Sequence, residues 1–365
     1  MKILKMLKKV RFLIAFFILN MILSFLLEPA RGASQIMWND YYKQEDLDTI
    51  FIGSSLCKGT FDPYIFDEQL GVNSFNMGTP LQAAPQTVQA LEVALEEHEI
   101  ERVIFGMGFS TLKYEGLTEA ELTFEKARAR EQGTLKGMIE GIRYMFSKEV
   151  VGEEKSILYL FPWLYNREEI SLGMIKQNVS LKIRQIKEKY FNIPIEDNQI
   201  FHKGYQNHGG VVLNYDNCWD NNSYRFYGDE LDSEMMQSLE EMMQICKQNQ
   251  IDFMIINTPH PFFDVVACYE SYEQNQNEIK ALCAEYDVDY YDFSLAKPEA
   301  FQSKPEYYSD YEHLNLEGSQ AFCRELCEFL KLRERGEDME SYFYSIDEFL
   351  DLYADWLADW KAYYW

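Results

Sequence analysis

The sequence predicts an α/β fold in which helices cover a doubly wound parallel sheet of five strands. Short apolar runs alternate along the chain with longer segments whose apolar residues recur at helical spacing. Each run leads into a polar, Gly or Pro turn signal, which is typical of strands buried on both faces. The five runs cover residues 48–52, 72–76, 102–109, 253–257 and 288–293.

Helical periodicity accounts for most of the chain between and after these runs. In the segment 85–97, Val88, Leu91 and Leu95 fall on one face, and the segments 233–247, 275–286 and 316–332 behave in the same way. Ligands of such sheets bind beyond the carboxyl ends of the strands. The turn that follows the first strand is therefore well placed for chemistry.

Length and charge narrow the class of protein. The chain has 365 residues, of which 47% are hydrophobic, so it can bury one large core with insertions or two smaller ones. Its formal net charge is −26. A surface this acidic repels phosphate groups, so we expect no nucleic-acid partner.

The N-terminus predicts a membrane segment. Residues 1–11 form a basic tail, and the predicted anchor at residues 12–28 contains the apolar run from Phe12 to Leu27. Basic residues before an apolar segment hold the N-terminus in the cytoplasm, so we expect a single-pass signal anchor at the cell membrane with the rest of the chain extracytoplasmic. A cleaved signal peptide and a buried core helix are the alternatives.

Three further regions complete the predicted organisation. We expect an α/β domain over residues 46–335, interrupted by a long, mainly helical insertion at 110–230 that either shapes substrate binding or packs as a subdomain. Residues 336–365 are acidic and aromatic and predict an amphipathic helix that docks on the domain. The residues expected to share its apolar face are Phe349, Tyr353, Trp356 and Trp360.

The seven cysteines do not indicate a disulfide scaffold or a zinc site. Their number is odd, and no Cys-x-x-Cys pair occurs. Cys323 and Cys327 share a helix face, where core packing is the simpler interpretation because no histidine lies at ligand spacing. We predict no metal and no cofactor.

Three residues carry the chemistry that the sequence predicts. Ser55 follows the first strand, where a strand-to-helix turn exposes a hydroxyl and points main-chain N–H groups at the same place. A serine needs a base, and His313 follows the last strand, at the same sheet edge. Asp310 lies three residues before it and can accept a hydrogen bond from the imidazole. Cys57 is an alternative nucleophile, although a buried, inert thiol is the simpler interpretation.

These segments resemble a known superfamily. Gly53-Ser54-Ser55-Leu56 is similar to the first block of the SGNH (GDSL-type) hydrolases, and Asp310-x-x-His313 is similar to the last block, in the same order. The resemblance covers about residues 46–332, interrupted by the insertion. It implies a flavodoxin-like sheet, with Ser55 as nucleophile and His313 as a base oriented by Asp310.

The resemblance also implies an oxyanion and substrate-binding set, with departures. Gly78 matches the second-block glycine whose N–H lines the oxyanion hole, and we place Asn76, Ser54 and His260 in the same set. Ser54 stands where GDSL enzymes carry Asp. The third block lacks its usual Asn, and Asn76 is one residue that could supply the missing donor.

More particular features resemble anchored proteins that modify cell-envelope polymers, such as the D-alanyl transfer protein of lipoteichoic acid and the alginate O-acetylation proteins. This resemblance implies a serine-dependent O-acyltransferase or acylesterase, a glycan or teichoic substrate and a membrane-bound O-acyltransferase as partner. The alternatives are a weak or inactive polymer-binding partner of such an acyltransferase, and a lipid esterase. The segments that carry the likeness are Phe61-Asp62-Pro63, Asn76-Met77-Gly78 and Thr258-Pro259.

Overall fold

A computed structural model describes residues 2–27, 32–113, 170–188, 200–209 and 230–364, with several short stretches between 124 and 143. The chain divides into two compact units. One consists of Met1–Ile36 with Leu117–Ile193, and the other of Met37–Gly116 with Pro194–Trp365.

The second unit is built on a parallel five-stranded sheet with strand order β2-β1-β3-β6-β7. This is the doubly wound arrangement that the alternation of apolar runs and helical segments predicts, and that prediction is confirmed. A two-stranded antiparallel hairpin, β4-β5, lies outside the main sheet. The strands are β1 Thr49–Gly53, β2 Ser74–Asn76, β3 Arg102–Met107, β4 Phe201–His202, β5 Tyr205–Gln206, β6 Asp252–Asn257 and β7 Asp289–Asp292.

The α-helices whose bounds the structure gives are α1 Lys2–Leu27, α2 Ala33–Tyr41, α3 Ser55–Thr60, α4 Pro63–Leu70, α5 Ala84–Glu97, α6 Leu172–Glu188, α7 Ser233–Asn249, α8 Phe262–Val266, α9 Tyr269–Tyr286, α10 Leu316–Glu334, α11 Ile346–Leu352 and α12 Ala354–Tyr364. Short 3₁₀ turns occur at Phe109–Leu112, Phe293–Leu295, Pro305–Tyr307 and Met339–Tyr342.

Apolar side chains bury the sheet on both faces. β1 is buried at every position, as its uninterrupted apolar run requires. On one face, α4 and α10 pack over Phe51, Ile104 and Met254. α7 packs against both α5 and α9 on the opposite face, because the crossover from β2 to β3 runs in the reverse direction to that from β1 to β2. Because the strands are parallel, the carboxyl ends of all five lie at the same edge of the sheet.

The first unit contains α1 and α6. Val10–Leu27 is long and apolar enough to cross a membrane, by length and composition. α6 packs against α1, and Lys182 donates a hydrogen bond of 2.7 Å to the Phe25 carbonyl oxygen near the end of α1. A cation stabilises the last carbonyl groups of a helix. Most of the remaining predicted insertion lies outside the described residues.

The C-terminal segment differs from the single helix predicted for 336–365. It forms a 3₁₀ turn followed by α11 and α12, which meet at Tyr353. Ser345 begins α11 with a capping box that Glu348 completes, so a new helix starts there. The aromatic residues still dock on the α/β unit, since Tyr353 stacks on Phe262 with ring centroids 4.2 Å apart.

The hairpin covers an edge of the sheet. The main-chain N–H of Asn76, in edge strand β2, donates to the Lys203 carbonyl oxygen at 2.9 Å. Lys203 and Gly204 both have positive φ, 45° and 79°, as a two-residue hairpin turn of this type requires. A Cβ on Gly204 would lie 1.7 Å from the Asn76 carbonyl oxygen, so only glycine allows this close approach.

Candidate active site

A tight turn places Ser55 at the carboxyl end of β1. Gly53 has φ of 142°, and a Cβ there would lie 2.2 Å from the Gly106 carbonyl oxygen. The next residue, Ser54, is the N-cap of α3, and its hydroxyl accepts from the Leu56 N–H. Ser55 is thus the first residue of α3, with its side chain at the sheet edge and partly exposed.

His313 reaches the same edge on a loop before α10. The Asp310 carboxylate oxygen Oδ1 accepts the main-chain N–H groups of Glu312 and His313, each at 2.8 Å, and so folds the loop into a tight turn. Asn315 then caps α10 by accepting the Gly318 N–H at 3.0 Å. These local bonds fix where the imidazole points.

The two segments bring together the three residues predicted to carry the chemistry. His313 Nε2 lies 2.9 Å from Ser55 Oγ, although the residues are 258 positions apart in sequence. His313 Nδ1 lies 3.0 and 2.9 Å from the two Asp310 carboxylate oxygens. The imidazole side chain is 17% exposed and the carboxylate 51% exposed. Nδ1–H donates to a carboxylate, so Nε2 is left to accept the Ser55 proton.

Electrostatics keep the carboxylate charged. Burial alone would raise the pKa of Asp310, but the hydrogen bond and charge of His313 and two main-chain N–H groups outweigh it and lower that pKa to about 2. Burial raises the pKa of the neighbouring Glu312. Asp310 therefore stays ionised throughout the pH range in which a histidine base works.

Gly78 and Asn76 do not serve as the predicted oxyanion donors in this structure. The Gly78 N–H donates to Asn76 Oδ1 at 2.9 Å, and Asn76 Nδ2 donates to the carbonyl oxygens of Cys57 and Phe61 at 2.9 and 2.8 Å. Asn76 is fully buried. Its amide ties the β2 end to α3, because it satisfies main-chain groups of both segments.

We expect Asn76→Ala to lower the free energy of unfolding by about 2–4 kcal/mol, because two buried carbonyl oxygens and one N–H lose their partner. Urea unfolding followed by circular dichroism measures this loss. Gln82→Ala, which removes another buried polar side chain, one that bonds the hydroxyl groups of Thr79 and Thr87, is the matched control and should cost less. An Asn76→Ala variant as stable as the wild type would contradict this structural role.

Ser54 acts as the N-cap of α3. It is 8% exposed, and its hydroxyl lies 3.4 Å from the Leu56 nitrogen and 3.3 Å from Thr111 Oγ1. Among the described residues, the Ser55 main-chain N–H donates none of the main-chain hydrogen bonds. This N–H, at the first position of α3, is the donor best placed to meet an oxyanion.

Leu56 and His260 occupy the space that a side chain at residue 108 would need. A Cβ on Gly108, at the end of β3, would lie 3.0 Å from His260 Cε1 and 3.2 Å from Nε2. The ring is 2% exposed, and its Nδ1–H donates to the Thr258 carbonyl oxygen at 2.7 Å. Burial lowers the pKa of His260 to about 4, so the ring is neutral at neutral pH.

This pKa shift predicts a pH dependence of stability. His260 keeps its neutral form in the folded chain down to about pH 4, whereas an unfolded histidine protonates below about pH 6.5. Its contribution is therefore complete above pH 6.5 and is lost as the pH falls toward 4, at up to about 1.4 kcal/mol per pH unit. We expect denaturant unfolding between pH 7.5 and 4.5 to show that the free energy of unfolding of the wild type, relative to that of His260→Gln, falls at this rate. If the difference in free energy of unfolding between the two proteins does not change with pH, the lowered pKa of His260 is contradicted.

One histidine at the site carries no sequence signal. His208 Nε2 lies 3.2 Å from the Ser55 carbonyl oxygen, and the His208 and His313 ring centroids are 4.1 Å apart. Nothing in its spacing from an acid or a strand end indicates this position. Cys57, the alternative nucleophile, is fully buried, and burial raises the pKa of its thiol, which fits the interpretation of an inert core thiol.

Comparisons with known proteins give distant structural likenesses. No protein-family model and no curated protein matches the sequence. A protein assigned as a platelet activating factor from Streptococcus pneumonia aligns at 12% identity and a TM-score of 0.38, covering 87% of this chain and 98% of that one.

Two other solved structures align similarly. A protein assigned to the lipolytic G-D-S-L family from Desulfitobacterium hafniense DCB-2 aligns at 10% identity and a TM-score of 0.35, covering 78% of this chain and 99% of its own. A protein assigned as an acylhydrolase from Bacteroides fragilis NCTC 9343 aligns at 12% identity and a TM-score of 0.36, with 82% and 94% covered. At this level of similarity, the chemistry of the chain has to be argued from its own side chains.

Proposed function

We propose that this chain is an extracytoplasmic serine O-acyltransferase or acylesterase that acts on a cell-envelope polysaccharide or teichoic polymer. The observation that carries the proposal is the Ser55–His313–Asp310 arrangement, with 2.9 Å between Ser55 Oγ and His313 Nε2. A hydroxyl, a base and an orienting carboxylate in this order are what acyl transfer through a serine requires.

In the first half of the reaction, His313 Nε2 accepts the Ser55 proton as Oγ bonds to the carbonyl carbon of an acyl donor. The resulting oxyanion is positioned to accept the Ser55 N–H at the start of α3. Asp310 stabilises the imidazolium that forms. The imidazolium then protonates the departing oxygen, which leaves Ser55 acylated.

In the second half, His313 takes a proton from an incoming hydroxyl group, whose oxygen attacks the acyl carbon and releases Ser55. Water as the acceptor makes the chain an esterase, and a polymer hydroxyl makes it a transferase. The partial exposure of Ser55 and of the Asp310 carboxylate supports a site that opens to solvent, as a bulky polymer acceptor requires.

The proposed location rests on the N-terminal helix. Val10–Leu27 has the length and composition of a membrane span, and we propose that it anchors the α/β unit on the outer side of the cell membrane. An anchored enzyme meets envelope polymers directly. It also lies within reach of a membrane-bound O-acyltransferase that could supply the acyl group.

One observation favours a second candidate, a polymer-binding partner of such an acyltransferase with weak or no chemistry. The two predicted oxyanion groups, Gly78 N–H and the Asn76 amide, bond within the protein, and the residue 108 position carries no side chain. Loss of one oxyanion donor typically costs about 10²–10³ in rate. A lipid esterase with the same three residues is the remaining alternative.

Turnover and substrate preference distinguish the three candidate functions. We expect the full-length chain in detergent to hydrolyse p-nitrophenyl acetate and to transfer or release acetyl or D-alanyl groups on envelope polymers, with His313→Ala abolishing both. Release from short-chain phospholipids alone would favour the lipid esterase. Polymer binding unchanged by Ser55→Ala, without any turnover by the wild type, would favour the binding partner.

A further inference from the structure

The β4-β5 hairpin lies against the helix that carries the proposed nucleophile. Lys58 Nζ, on α3, donates to Gln206 Oε1 at 3.1 Å, and the Tyr205 and Ser319 hydroxyls lie 2.6 Å apart. These contacts join residues more than 100 positions apart. They hold the chain that leaves the hairpin against the Ser55 turn.

His208, two residues beyond the hairpin, contacts both partners of the proposed reaction. Its Nε2–H donates to the Ser55 carbonyl oxygen at 3.2 Å, which places the proton on Nε2 because a carbonyl only accepts. Its ring packs on the His313 ring at 4.1 Å between centroids and 35° between planes. A single imidazole thus spans from the main chain of the nucleophile to the face of the base.

Two features fix this imidazole in place. The main chain of His208 forms an isolated parallel bridge with Asn315, the cap of α10. On α3, Gly59 leaves the space that the ring occupies, since a Cβ on Gly59 would lie 2.1 Å from His208 Cδ2. Larger residues at position 59 would therefore displace the ring.

We propose that His208 is a positioning residue for acyl transfer. It holds the Ser55 turn and the His313 ring at the distance and orientation at which the Ser55 hydroxyl bonds the His313 imidazole. This inference rests on the proposed function. A base that is misplaced by about 1 Å typically costs about 10²-fold in rate. A residue that fixes the position of the base therefore affects the rate even though it transfers no proton.

The surroundings of His208 keep it neutral, as this role requires. Burial, followed by the charges of His313 and Lys58, lowers the pKa of His208 to about 3, while the bond to Ser55 and the charge of Asp310 oppose that shift. Among the described residues, His313, Lys58 and Asp310 are the charged groups that act on it most strongly. A neutral ring does not oppose the positive charge that His313 acquires in the reaction.

The first test removes the two contacts separately in the full-length chain. We expect His208→Ala to lower kcat for p-nitrophenyl acetate by about 10- to 100-fold with little change in KM, because geometry acts on the transition state. His208→Gln retains a donor and His208→Phe retains a ring, so each should recover part of the loss. His98→Gln, at the end of α5 and the opposite edge of the sheet, is the control with wild-type kcat.

The second test moves the ring without removing it. Gly59→Ala should lower kcat about as much as His208→Ala, although alanine is the better helix former. In the His208→Ala background, the same methyl group has room and should cost little more. An equal cost of Gly59→Ala in both backgrounds would overturn the inference, as would a wild-type kcat in either single variant.

Ser55→Ala, measured alongside, separates this inference from the proposed function. Turnover retained in Ser55→Ala would remove the proposed function itself. Ser55→Ala without turnover, combined with wild-type kcat in His208→Ala, would overturn only the positioning role. Thermal unfolding of each variant gives the folded fraction to which kcat is referred, so a loss of fold is not counted as a loss of positioning.

Discussion

Ser55→Ala is expected to lower kcat/KM for an acyl ester by about 10⁵-fold, because the hydroxyl that bonds His313 Nε2 is then missing. The fold should survive, since Ser55 Oγ bonds His313 and the cap of α3 belongs to Ser54. Initial rates with p-nitrophenyl acetate, corrected for uncatalysed hydrolysis, measure the effect.

Ser54→Ala is the matched control for this experiment. It removes the neighbouring hydroxyl and the N-cap of α3, so we expect a loss of about 1 kcal/mol in unfolding free energy and a far smaller loss of rate. A reversed pattern, in which Ser54→Ala is inactive and Ser55→Ala is not, would move the nucleophile to Ser54 and contradict the arrangement.

Asp310→Asn is expected to lower kcat by about 10³- to 10⁴-fold while leaving the loop intact. An amide oxygen can still accept the main-chain N–H groups of Glu312 and His313. The amide nitrogen, however, donates toward Nδ1 and so moves the ring proton to Nε2, where it blocks acceptance of the Ser55 proton. The loss therefore comes from the wrong tautomer and from the missing negative charge.

Glu312→Gln is the control for Asp310→Asn, since it removes the same charge from the same loop. The Glu312 main-chain N–H bonds Asp310, and the Glu312 carboxylate acts on His313 and Asp310 through its charge, with no hydrogen bond to the imidazole among the described contacts, so we expect a much smaller effect on kcat. Because the pKa of Asp310 is about 2, its own titration should not appear in a rate profile above about pH 4. Equal losses in the two variants would mean that net charge, and not the Asp310–His313 bond, determines the rate.

The sheet and the central site could be predicted from the sequence because both depend on local patterns. The buried strands are continuous apolar runs in the sequence. Their alternation with helices limits the possible strand orders to a few. Ser55 and His313 each follow a strand of one parallel sheet, so their meeting at one edge follows from the fold.

The oxyanion assignments failed for a reason that a sequence does not reveal. Asn76 and Gly78 lie at the correct strand end, but the sequence does not say whether their amide groups face the open site or the interior. In the structure, the buried carbonyl oxygens of Cys57 and Phe61 need donors, and Asn76 supplies them. Satisfying buried main-chain groups takes precedence over lining a cavity.

The hairpin and His208 were missed because they have no local pattern. β4 and β5 are two residues each, too short for any periodicity, and the Lys203-Gly204 turn is the only hint of a hairpin. The contacts of His208 with Ser55 and His313 join distant parts of the chain, and only the folded structure brings them together.

Covalent labelling with a fluorophosphonate, followed by tandem mass spectrometry of the full-length chain, examines the activated hydroxyl directly. We predict a single adduct on Ser55 that is absent from Ser55→Ala and forms far more slowly in His313→Ala. An adduct on another residue, or an unlabelled Ser55 in a chain that still turns over esters, would show that the reaction does not pass through this serine.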